Sequence, residues 1–321
     1  MTAGRRGAAV RARRPFLEPR EPTAGRLPPH EMYPAHDPRV QARTLTLASG
    51  LRVRAVECGP ANGPMIVFLH GWGASAYTWR HNLPPLGAAG RHAVAVDLKG
   101  HGLSDKPLAQ SEYTFAAMLA HVHEVLDALG APRAADAGGR PGPAVVAQSM
   151  TGALALALAL EPSPRISRLA LVNPVGLCAL PLIPFACALT PAPTVRVAPW
   201  LAFRWAMAAG LRLVYGDPRR VTARDVDEYW APSQFSGYAR AMRSLVHEFH
   251  WPPFDGDALT RLRVPTLVVL GGRDRVVRGA RPVAERLPGT RVVVVPRGGH
   301  AVNEELPAVV NPVLVDFLTA P

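Results

Sequence analysis

Ser149, Asp274 and His300 are the side chains whose types could do chemistry together. A serine hydroxyl is a poor nucleophile until a positioned imidazole takes its proton. The imidazole in turn needs a carboxylate to fix its tautomer and to stabilise the imidazolium. Ser149 follows the apolar run Ala144-Val145-Val146 and precedes Ala153 to Leu160, an alternation of alanine and leucine. These are two of the best helix formers. A buried strand that turns at once into a helix brings backbones nearly into contact, so the turn takes small residues. A serine at its apex is strained, exposed and set on a helix N-terminus. The usual spacing G-x-S-x-G is not met, because Ala147 and Thr151 flank the serine and Gly152 stands one step later. A serine that caps an ordinary helix fits the same hexapeptide.

The elements that must position these residues read as strands and helices in alternation. Arg43 to Leu47 and Leu51 to Val56 predict a hairpin turning at Ser49-Gly50. Met65-Ile66-Val67-Phe68-Leu69, Ala93 to Val96, Ala144 to Val146, Arg168 to Val172, Pro265 to Leu270 and Arg291 to Val295 are continuous apolar runs, as strands buried on both faces require. Helical spacing joins them, as in Phe115, Met118, Leu119, Val122, Val125, Leu126 and Leu129. That rhythm predicts a mainly parallel sheet wound on both sides, with chemistry at the C-terminal strand ends. His70, Asp97, Ser149, Asp274 and His300 all fall there. After Gly176 the composition shifts, and Val175 to Val195 is uncharged with four prolines. This predicts an apolar cap over the strand ends, or a surface that touches lipid, rather than a membrane span. Thr222-Ala223-Arg224-Asp225 reads as a capping box opening another helix.

Composition limits the function classes. The 321 residues and 48% hydrophobic content suit one large domain or a core with a sub-domain. The net charge of +12 comes almost wholly from arginine, with Lys99 and Lys106 the only lysines. The charges are scattered beyond the N-terminus, with neither the stripe nor the motif of a nucleic-acid reader. Cys58, Cys178 and Cys187 are odd in number and lack metal-ligand spacing, so free thiols, no metal and a cytoplasmic setting are expected. Residues 1–42, rich in arginine and proline, read as a disordered extension, within which Met32 offers an alternative translation start.

Five motifs in order now resemble the capped α/β-hydrolase superfamily of esterases, lipases and C–C hydrolases. They are HGWGAS (70–75), DLKGHGLSDKP (97–107), AQSMTG (147–152), GGRD (271–274) and GGHAVNEELP (298–307). The resemblance covers roughly residues 43–320 and implies an α/β fold: a mostly parallel, eight-stranded-type sheet flanked by helices. It implies a core of 43–176 and 256–321 and an inserted helical cap at 177–255. Ser149 would then be the nucleophile, His300 the general base and acid, and Asp274 the orienting carboxylate. The backbone N–H groups of Trp72 and Met150 would form the oxyanion hole. His70, His101 and Asp97 would hold loops. Trp72, Leu180, Phe185, Phe203, Trp230 and Phe235 are the expected pocket residues. Serine as nucleophile argues against dehalogenase and epoxide-hydrolase chemistry. Ala301 and Gly73-Ala74 depart from the C–C hydrolase pattern. The expected activity is cleavage of a small carboxylic ester or thioester with an apolar acyl or aromatic group, through an acyl-enzyme and without a cofactor. A C–C (meta-cleavage type) hydrolase, an acyltransferase or lyase, and an inactive binding protein are the alternatives.

Overall fold

The computed structural model describes residues 27–131, 142–195, 203–249, 251 and 253–320. Its strands are β1 (Gln41–Thr46), β2 (Arg52–Cys58), β3 (Met65–Leu69), β4 (His92–Val96), β5 (Ala144–Gln148), β6 (Arg168–Val172), β7 (Thr266–Gly271) and β8 (Thr290–Val295). They form one eight-stranded sheet in the order β1-β2-β4-β3-β5-β6-β7-β8. β2 runs antiparallel to β1 and β4; from β4 across to β8 every pairing is parallel. This is the α/β-hydrolase fold that the sequence predicts.

The continuous apolar runs are explained by two cores, one on each face. Val67, Leu69, Val94, Val96, Val145 and Ala147 enter one cluster; Ile66, Phe68, Ala93, Ala95, Ala144 and Val146 enter the other. Alternate residues of one strand therefore serve opposite faces, and both must be apolar. Helices α2 (Phe115–Ala128) and α3 (Met150–Ala159) cover the first face, while α1 (Leu83–Ala88) and the C-terminal Pro307–Thr319 helix cover the second.

Between β6 and β7 the chain adds α4 (Leu182–Leu189), α5 (Arg204–Val214), α6 (Ala223–Trp230), α7 (Tyr238–Glu248) and the short α8 (Gly256–Leu259). The capping box before α6 forms, with Thr222 and Asp225 each accepting from the other's backbone N–H. α7 buries Tyr238, Ala241, Met242 and Leu245 in the main core, whereas α4 buries none of its residues. After β7 come α9 (Ala280–Ala284), α10 (Val302–Glu305) and α11 (Pro307–Thr319).

The expected extension needs correction in its second half. Residues 27–42 are ordered and strap the inserted segment to β2. Met32 is buried against Ala231 and Phe235. The Tyr33 N–H donates to Glu228 at 2.7 Å, and Arg54 donates to the Tyr33 carbonyl at 2.6 Å. The strap is irregular, closing on short turns such as Ala35 to Met32, Asp37 to Pro34 and Val40 to Asp37, so it has no apolar period to read. The extension up to residue 26 and residues 132–141 ahead of β5 lie outside the described residues.

Candidate active site

Ser149 is the single residue between β5 and α3, and its φ of 55° and ψ of −121° lie where side chains rarely sit. Such a conformation costs of order 1–3 kcal/mol and persists only where the surroundings enforce it. Here its N–H donates to the Val172 carbonyl at 3.1 Å, and its carbonyl accepts from Gly152 and Val175, each at 2.9 Å. The small-residue demand falls one step later than the usual motif. A Cβ on Gly152 would lie 2.5 Å from the Pro174 Cβ. At Thr151 the backbone tolerates a side chain, and the buried hydroxyl bonds locally to the carbonyls of Leu69 (2.9 Å) and Gln148 (3.0 Å).

His300 Nε2 lies 2.8 Å from Ser149 Oγ, and its Nδ1 lies 2.8 Å from Asp274 Oδ2. The second carboxylate oxygen accepts the N–H groups of Val276 and Val277 at 2.7 and 3.1 Å, which fixes the carboxylate plane. With Nδ1–H donated to Asp274, Nε2 is left to accept the serine proton. All three side chains are largely out of solvent. The glycine doublets before Asp274 and His300 turn out to need each other. A Cβ on Gly271 would lie 2.1 Å from the Gly299 carbonyl, and one on Gly272 would lie 2.7 Å from that of Pro296. The Arg273 N–H donates to Gly298 at 2.8 Å. Two loops thus touch backbone to backbone, which brings acid and imidazole together. Asn173, at the end of β6, completes the join. Its amide donates to the His300 carbonyl at 2.8 Å, and its oxygen accepts the Gly271 N–H at 2.8 Å.

The loop after β3 approaches Ser149 from the other side. A Cβ on Gly71 would lie 2.9 Å from the Ser149 Cβ, so only glycine lets this loop come so near. His70 orients it. Its Nε2 accepts the Leu98 N–H at 3.0 Å, so the proton is on Nδ1, which donates to the Gly71 carbonyl at 2.8 Å. In a trans peptide, N–H and C=O point oppositely. Pinning the Gly71 carbonyl therefore turns the Trp72 N–H the other way. Burial lowers the pKa of His70, which keeps the ring neutral as this pattern needs. Asp97 holds the neighbouring turns, with Oδ1 accepting from Ala76 (2.7 Å) and Oδ2 from Leu103 and Arg54 (both 2.8 Å).

The description "Alpha/beta hydrolase family" matches residues 66–313. The chain belongs to the alpha/beta hydrolase family. One relative, a haloalkane dehalogenase from Mycobacterium marinum, is 31% identical over 74% of this chain and 78% of its own. A meta-cleavage product hydrolase from Pseudomonas fluorescens IP01 aligns with TM-score 0.70 at 22% identity, covering 86% of this chain and 96% of that one. A carboxylesterase from Bacillus subtilis aligns with TM-score 0.70 at 19% identity, covering 91% and 94%. These two structures share the fold with this alpha/beta hydrolase and say nothing finer.

In this member of the family, the inserted segment is welded to the His300 loop. Glu305, almost fully buried, accepts three backbone N–H groups: Gly299 (2.7 Å), Gly216 (2.9 Å) and Asp217 (2.6 Å). The His300 N–H donates to the Val214 carbonyl at 2.7 Å. A Cβ on Gly299 would lie 2.2 Å from the Gly216 nitrogen. Neither Glu305 nor Asn173 is found by the sequence reading. Their work is to hold backbone amides and carbonyls, which leaves no spacing signature.

The expected pocket set is only partly brought together. Trp72 stands beside Ser149 through Gly71, and its indole donates to the Met242 carbonyl of α7 at 3.1 Å. Met150 opens α3 directly after Ser149, where a helix N–H has no intrahelical acceptor. Leu180 packs on the main core, and Trp230 is half-buried at the end of α6. Three of the expectations need correction or relocation. Phe235 is buried with Met32 under the N-terminal strap and faces Lys106 at 5.3 Å. Phe185 and Phe203 are turned to solvent, because no second layer covers α4 or the start of α5 among the described residues.

Proposed function

We propose that this alpha/beta hydrolase cleaves a carboxylic ester or thioester carrying an apolar acyl or aromatic group. The observation that carries the reading is the unbroken series from Ser149 Oγ through His300 to Asp274, 2.8 Å at each step. As Oγ attacks the carbonyl carbon, His300 Nε2 takes its proton and Asp274 stabilises the imidazolium. The carbonyl electron pair moves to oxygen, where the Trp72 and Met150 N–H groups receive it. Amides held in place by His70 and by the strand–helix turn need no reorganisation as that charge appears. Collapse expels the alcohol or thiol, which takes the proton from Nε2. Water, deprotonated by the same nitrogen, then adds to the acyl carbon, and the second collapse frees the acid and restores Ser149.

Serine chemistry also separates this reading from that of the dehalogenase relative. A serine that displaced a halide would become an alkyl ether, which offers water no carbonyl to attack, so the enzyme would stop after one turnover. A fluorophosphonate should label the wild type and not Ser149→Ala, and short p-nitrophenyl esters should be hydrolysed. Activity unaffected by His300→Ala, or equal labelling of Ser149→Ala, would sink the assignment.

A further inference from the structure

α4 and α5 present apolar side chains where a surface helix ordinarily presents polar ones. On α4, Leu182, Phe185 and Leu189 follow i, i+3, i+7 and are 54%, 63% and 60% exposed. On α5, Trp205, Ala209, Arg212 and Leu213 share the outward face at i, i+4, i+7, i+8, all exposed. Phe203 stacks on Trp205 with ring centroids 5.9 Å apart. Of the nine large apolar side chains exposed among the described residues, six lie between 182 and 213, so the exposed apolar surface is concentrated on these two helices and Phe203.

Charge selects what covers it. Between Glu161 and Asp217 the sequence has no carboxylate, Arg212 stands on the outward face of α5, and the whole chain carries +12. A symmetric second copy would set Arg212 against itself, and the carboxylate that reaches α5, Asp227, is already paired with Arg204. A bilayer with anionic headgroups suits both parts. Aromatic and aliphatic side chains enter the headgroup–acyl boundary while arginine stays at the phosphates.

We propose that the α4–α5 face docks on an anionic membrane surface. Docking would be superficial, since no described helix is long and apolar enough to cross a membrane. α4 and the Trp72 loop beside Ser149 are both fastened to α7. The end of α4 is tied to α7 by Arg243, whose Nε donates to the Thr190 carbonyl at 2.8 Å, and the half-exposed Trp72 bonds to the same helix. An apolar ester dissolved in the bilayer would meet the site at that edge; this last step rests on the ester reading, whereas the docking does not.

Sedimentation of the full chain with vesicles of phosphatidylcholine alone, or mixed with phosphatidylglycerol, tests the proposal. Binding is expected to the mixed vesicles, weakening with salt. Trp205→Glu and Leu189→Glu, both at exposed positions, should weaken it by about tenfold or more, and Arg212→Gln by about fivefold. All three should keep the circular dichroism spectrum and melting temperature of the wild type, which shows that they are folded. Ser149→Ala should bind vesicles like the wild type, so failure of the ester reading leaves this result intact. Equal binding to both vesicle types overturns the proposal. So does binding untouched by the three variants, which would assign it to the arginines at positions 5–26. A lipid-independent dimer dispersed by Trp205→Glu would assign the face to a second copy and also overturn it.

Discussion

Thr151 is one of the two residues at which the serine motif departs from its usual form, and its buried hydroxyl has a structural place. It ties the first turn of α3 to the carbonyls of Leu69 and Gln148, so the side chain is directed into the sheet. The bare sequence raises two outcomes for this position, a wider strand–helix gap or a locally bonded hydroxyl, and either could trim the acyl pocket. The hydroxyl is bonded, and the whole side chain is buried. Thr151→Gly is therefore expected to lower stability by about 1–2 kcal/mol, from a lost buried hydrogen bond and added chain entropy. Relative rates on esters of increasing chain length should not change; a broadened profile would place Thr151 at the pocket wall after all. Ser149, Asp274 and His300 were legible because each combines a reactive type with a strand end. Asn173 looked like any turn residue, since an amide that fastens a distant carbonyl carries no local sign of its partner.

At the scale of elements, the strands were the most legible part, because a strand with both faces buried must be apolar throughout. The inserted helices were legible by their spacing, while their packing was not. Nothing in GGHAVNEELP announces that Glu305 clamps the chain at 216–217 to the loop bearing His300. Glu305→Gln puts an NH2 where one of three N–H groups needs an acceptor. A fold-preserving loosening of His300 follows, and kcat on a small ester should fall about tenfold with less change in KM. The check is steady-state kinetics beside fluorophosphonate labelling rates, which should fall in parallel. A lower melting temperature with kcat unchanged would make Glu305 purely structural.

For the molecule as a whole, buried histidines set the response to acid. His70, His101 and His121 are fully enclosed, and burial lowers the pKa of each, that of His121 to about 3. The unfolded chain takes up their protons as pH drops through about 6.5, while the folded chain does not. Their contribution to stability is complete above that pH and is lost as pH falls. The loss is about 1 kcal/mol per pH unit for each histidine while it stays neutral in the fold. Denaturant midpoints measured from pH 7 to pH 5 should decline steeply, and His121→Asn should flatten the decline; a flat wild-type profile would contradict it. The welded junction at Val214 to Asp217 has a bearing on engineering as well. Beyond Leu213 the chain is no longer free to vary with substrate, because from there it is scaffolding for the imidazole. Transplanting the specificity-bearing helices of a relative should therefore succeed when the downstream splice falls before Val214, and fail when it carries a foreign 214–217 into the graft.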